Sequence, residues 1–144
     1  MLIGGSASFF TCAAGVIAAA WSAVLVHYDL RSHRLPDALT LPAGAAALAS
    51  CAAWPEGLWG LAWPALYLLV GRGIGGGDIK LSLPLGVAVA ALASPPAILA
   101  AVGVSSALTL AAAAVLRARG APHGPSMLAA AWLCVLMGSF PAQL

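Results

Sequence analysis

Charge is what this chain has least of. Of its 144 residues only four are Asp or Glu and six are Lys or Arg, together 7%, against about 25% in an ordinary soluble domain. Hydrophobic residues make up 62% of the chain and the mean hydropathy is +1.02. So few polar side chains cannot cover a water-facing surface, so much of the surface must face lipid, and the composition reads as an integral membrane protein. The net charge of +2, with no basic run, excludes nucleic acid as a partner. Cysteine is sparse as well. Cys12, Cys51 and Cys134 stand singly in apolar stretches with no CxxC spacing, which leaves a zinc site unsupported and reads as small packing residues. No Lys or Arg precedes Trp21, so the basic start of a signal peptide is missing and the first apolar run reads as a retained transmembrane helix.

What is present is a series of apolar runs cut by short polar or Pro/Gly stretches, and a spanning helix needs about 20 residues. The runs predict an all-α, polytopic protein whose 144 residues form a single transmembrane domain. Helices are expected over about 7–28, 37–53, 58–70, 79–93, 97–116 and 125–140. The third is short and holds Pro64, and Pro84 lies early in the fourth; each proline removes a backbone donor that neighbours must replace. Six spans are expected, or five if the third is re-entrant.

All six cations fall in alternate connections: Arg31 and Arg34 after the first helix, Arg72 and Lys80 around the start of the fourth, Arg117 and Arg119 after the fifth. The other two connections carry none, and Glu56 lies in one of them. The positive-inside rule then puts the basic connections in the cytoplasm and both termini outside. Asp29, Asp37 and Asp78 all fall at cytoplasmic helix ends, where a carboxylate is less costly than at mid-membrane.

Each acid has a structural reading. Asp37 follows Pro36 and precedes an apolar run, so it reads as the N-cap of the second helix. Asp29 ends the first helix, where the dipole disfavours an anion, and Arg31 and Arg34 could neutralise it. Asp78 could pair with Lys80 or cap the fourth helix. It follows Gly75-Gly76-Gly77, and glycines often only make turns. Gly71-Arg-Gly-Ile-Gly-Gly76 also fits GxGxxG, but it follows a membrane span and has no acidic residue at the expected place downstream. A P-loop would need Gly-Lys-Ser/Thr where Gly-Asp stands. His27, His33 and His123 lack metal-ligand spacing and read as interfacial or loop residues.

Three stretches together carry a resemblance. Gly75-Gly-Gly-Asp78-Ile-Lys-Leu81 resembles the GxGDxKL motif of the type IV prepilin peptidase family. Asp29 followed by Leu35-Pro-Asp-Ala-Leu-Thr-Leu-Pro42 is similar to its other aspartate motif, and Pro122-His-Gly-Pro125 resembles its P-x-GP element. The resemblance implies a membrane aspartic endopeptidase that removes leader peptides from prepilins or pseudopilins at the cytoplasmic face of a bacterial or archaeal membrane. It implies Asp29 and Asp78 as the catalytic pair and Asp37 as a non-catalytic position, with no metal and no cofactor. Long members also N-methylate the new terminus through a domain with paired CxxC motifs; this chain resembles the short form. Gly75 and Gly77 would let the backbone approach an extended substrate, and Lys80 would bias the pair, bind the substrate backbone, or anchor the chain on the inside. The rival reading is a small proton-coupled transporter or channel, since membrane acids at broken helices often mark ion routes. Against it, the three aspartates share one face and no inverted repeat stands out.

Overall fold

The computed structural model of the chain describes residues 3–70, 73–117 and 121–138, with side chains from residue 12 onward. Among these residues all regular structure is helical. Helix α1 runs Ile3–Ser32, α2 Asp37–Ser50, a 3₁₀ segment Pro55–Leu61, α3 Ala62–Val70, α4 Gly76–Leu92, α5 Ala97–Leu116 and α6 Gly124–Gly138. Two helical stretches, Cys12–Ser32 and Ala97–Leu116, are long and apolar enough to cross a membrane. Large apolar side chains stand outward on several helices, among them Leu69, Leu99, Leu110 and Val115. With the composition, this describes a helical membrane protein. Arg72, Arg119 and the expected end of the sixth helix at 139–140 lie outside the described residues.

The expected elements are found in order, with shifts at their ends. Helix α1 continues past residue 28 to Ser32, whose Oγ donates to the Tyr28 carbonyl at 2.7 Å, and His33 then closes it in a left-handed conformation (φ 50°). Asp29 therefore belongs to the last turn of α1. Of the glycines before Asp78, Gly76 and Gly77 already belong to α4, with Gly75 as its N-cap in extended backbone. Asp37 is likewise not the N-cap of α2. Pro36 holds that position and no side chain caps the helix; the Pro36 carbonyl accepts from the Leu39 and Thr40 amides instead.

The short third segment gains length from its winding. Seven residues of 3₁₀ helix precede nine of α-helix. Rises of about 2.0 and 1.5 Å per residue make the combined run about 27 Å, close to a hydrocarbon core of about 30 Å. Pro64 sits in the first turn of α3, directly after the 3₁₀ segment.

Helix α4 is the centre of the bundle and packs against α2, the 3₁₀ segment, α3, α5 and α6. Its buried residues run from Leu81 through Ala90 and face both sides, as an apolar, non-amphipathic helix inside a bundle should. The tightest approach is at Gly60 and Gly86: a methyl on either would fall on the other's backbone. Such small-residue crossings bring helix backbones together in lipid, where the hydrophobic effect does not drive helices to associate. Trp63, Leu25, Leu81 and Met127 fill the core around α4. Helix α1 joins α6 through Trp132 Nε1–H donating to Ser22 Oγ at 3.0 Å, and reaches α2 through Trp21 Nε1–H donating to the Leu39 carbonyl at 3.0 Å.

Candidate active site

The last turns of α1 and α3, the middle of α5, the first turn of α4 and the segment leading into α6 meet around a cavity of about 490 Å³. Asp29 and Asp78 both line it, with His33, Tyr67, Thr109 and His123 among the other wall residues. Two residues far apart in the chain, on the first and fourth helices, thus come to a common space.

Asp29 is 5% exposed, and what satisfies it is not an arginine. Among the described residues neither Arg31 nor Arg34 pairs with it. The Gly124 amide donates to Asp29 Oδ2 at 3.0 Å, so the carboxylate sits at the N-terminus of α6. That is where unpaired N–H groups and the helix dipole favour an acid. Gly124 leaves room for this, since a methyl there would stand 2.7 Å from Asp29 Oδ2.

Asp78 lies in the first turn of α4, just before the apolar run that begins at Ile79. Its pKa is pushed up from 3.8 to about 6, first by burial and then by the charge of Asp29, while a backbone hydrogen bond at Gly75 opposes the rise. Loss of solvation and a neighbouring like charge both disfavour a second anion. Because the charge of Asp29 acts on Asp78, the two aspartates interact as well as share a wall.

The glycines of this region serve internal contacts. A methyl at Gly75 would lie 3.3 Å from Asp78 Oδ2, and one at Gly77 would lie 3.2 Å from Leu35 Cβ. Leu35 is buried, and its Cδ2 would also meet a methyl at Gly124 at 3.5 Å. One leucine therefore wedges between the glycine of the α4 motif and the glycine of the α6 motif, tying three separated stretches together. Lys80 points elsewhere: its Nζ pairs with Asp37 Oδ1 at 2.7 Å on the exposed side. That contact joins the starts of α2 and α4, and it stands in place of the pairing with Asp78 that was one of the alternatives for that residue.

A further group of wall residues did not stand out in the sequence. His123, read as a loop histidine, is held by Tyr67 Oη on Nε2 at 2.7 Å and by Thr109 Oγ1 on Nδ1 at 2.6 Å. Burial lowers its pKa, opposed by the charge of Asp29. Its position inside the Pro122-His-Gly-Pro125 stretch was the one available signal, because neither Tyr67 nor Thr109 stands out in an apolar helix. Among the described residues no three His, Cys, Asp or Glu side chains are grouped to hold a metal ion.

No curated protein and no solved structure matches the chain. The family model of the type IV leader peptidases matches residues 16–138, from the first helix through the last. The chain therefore belongs to the type IV leader peptidase family, and its activity is that of a peptidase.

Proposed function

We propose that the chain hydrolyses the leader peptide of prepilins or pilin-like proteins with Asp29 and Asp78 as an aspartic dyad at the cytoplasmic membrane face. The observation that carries this reading is the shared cavity, in which the charge of Asp29 acts on the raised carboxyl of Asp78. Two interacting carboxyls that hold one proton between them supply both catalysts for peptide hydrolysis. Asp29 has Oδ2 committed to Gly124 N–H and Oδ1 left to take a proton from water. As that water attacks the scissile carbonyl carbon, Asp78 gives its proton to the carbonyl oxygen. As the tetrahedral intermediate collapses, the C–N bond breaks, the proton gained by Asp29 passes to the departing amine, and one hydroxyl of the intermediate returns its proton to Asp78 as the new carbonyl forms. The two products are a free carboxyl and a free amine, and the dyad again holds one proton.

The same reading takes the six helical runs as six membrane crossings with both termini outside. The shorter helices would cross through interfacial residues or a locally thinned bilayer. The last turn of α1 and the first turn of α4 bring their acids to one cavity, which supports placing those two helix ends on the same side. Gly75 and Gly77 act on Asp78 and Leu35 in this scheme, and Lys80 anchors α4 to α2 without a catalytic role. The transporter reading has no support from the family match.

The test is cleavage of a co-reconstituted prepilin by purified protein in detergent. Asp29→Asn and Asp78→Asn should each abolish cleavage while their yield in the membrane fraction is unchanged. Normal processing by either variant would remove that residue from the dyad.

A further inference from the structure

The wall of the cavity also contains a chain of hydrogen bonds whose protons can be assigned. Thr109 Oγ1 lies 3.0 Å from the Ser105 carbonyl and 2.6 Å from His123 Nδ1, and Tyr67 Oη lies 2.7 Å from His123 Nε2. A carbonyl can only accept, so the Thr109 proton is best placed on the bond to Ser105. Thr109 oxygen must then accept from His123 Nδ1–H, which leaves Nε2 bare to accept from Tyr67 O–H. All three contacts are satisfied in this arrangement. With the proton on Nε2, Thr109 would have to donate to Nδ1, and the contact with Ser105 would set two oxygens together with no proton between them. A neutral ring is also what burial favours at this position.

The ring spans two helices, Tyr67 on α3 and Thr109 on α5, and the next residue is Gly124, whose amide holds Asp29. A displacement of His123 therefore moves the Gly124 amide with it. We propose that His123, neutral and protonated on Nδ1, is a positioning residue that fixes Gly124 N–H against Asp29 through its bonds to Tyr67 and Thr109. Both of its ring nitrogens are engaged by Tyr67 and Thr109, so it acts through the peptide that follows it. This rests on Asp29 being part of the dyad.

Two measurements test it. The first does not involve activity: ¹⁵N-histidine NMR of the detergent-solubilised protein at pH 7, with the His123 signals assigned by their loss in His123→Phe. The expected signature is a neutral ring with a bare Nε2 and a protonated Nδ1; an Nε2–H ring or an imidazolium would overturn the assignment. The second is steady-state cleavage. His123→Phe keeps a ring of similar size and removes both bonds, and should lower kcat by about tenfold to a hundredfold, the range expected of a slightly misplaced catalytic group, with KM little changed. Tyr67→Phe removes only the bond to Nε2 and should give a smaller loss in kcat, while His123→Gln, which can still accept from Tyr67, should recover part of the activity lost in His123→Phe. Wild-type kcat in His123→Phe would overturn the proposal, as would a loss confined to KM or a His123→Gln no better than His123→Phe. Asp29→Asn serves as the control. If it still cleaves, the dyad reading fails; if it is dead while His123→Phe is fully active, only the positioning role fails.

Discussion

Asp78 owes its raised pKa to burial and to a neighbouring anion, and both make its ionised form unfavourable to the fold. Its folded pKa of about 6 lies above the ordinary 3.8, so the folded state binds more protons than the unfolded one between those values. The stability contribution of the neutral acid is complete below about pH 4 and is lost as pH rises through about 6. Asp78→Asn, neutral at every pH, should therefore unfold at a higher temperature than wild type at pH 7.5 and at an equal one at pH 3.5, while cleaving nothing. Thermal unfolding in detergent at the two pH values reads this, and a variant less stable at pH 7.5 contradicts it. If Asp78 is the acid of the dyad, kcat should also fall as pH rises through about 6. The second residue to test is Gly124. Among the described residues it is not one of those with positive φ, so alanine is compatible with the backbone there and only the approach to Asp29 suffers. Gly124→Ala should cost about a hundredfold or more in cleavage with the helical circular dichroism unchanged. These two acids were legible in the sequence because charge is so rare in it. The partner of Asp29 was not legible, since a backbone amide has no side chain to mark it and nearby arginines were the obvious alternative.

Among the elements, α4 and the 3₁₀ segment depend on each other through Gly60 and Gly86. A methyl on either glycine meets backbone rather than a flexible side chain, so neither site can relax cheaply. Gly60→Ala or Gly86→Ala should destabilise by about 3 kcal/mol or more, the upper end for overpacking, measured by unfolding in detergent; a change under about 1 kcal/mol would mean the helices can separate freely. The link between Lys80 and Asp37 is the opposite case. Both side chains are substantially exposed, 41% and 58%, and a surface pair of this kind contributes about 0–1 kcal/mol. Lys80→Ala should retain nearly full cleavage, and a loss of a hundredfold would return Lys80 to the site. Element order and most boundaries were legible because Pro, Gly and charge punctuate the apolar runs. The continuation of α1 to Ser32, the start of α4 at Gly76 and the capping of α2 by Pro36 were not. Each turns on local backbone hydrogen bonds that apolar periodicity does not register, and these helices, apolar all round, carry almost no periodicity to read.

For the molecule as a whole, the distribution of cations makes a topological prediction that labelling can check. In a cysteine-free background, Glu56→Cys and Arg117→Cys should react with a membrane-impermeant maleimide from opposite sides of sealed vesicles. Labelling of both from the same side would contradict the six-span arrangement. The site draws on the first helix and the last, and here the bond between Asp29 and Gly124 has a consequence in time. During synthesis the first aspartate enters the membrane with α1, and the second follows with α4, long before α6 leaves the ribosome. Until Gly124 arrives, Asp29 has no amide to hold it, and Leu35 has only one of its two glycines to pack against. In the proposed scheme a nascent chain carrying both aspartates is therefore still unarmed, and it becomes competent to cut only when α6 docks.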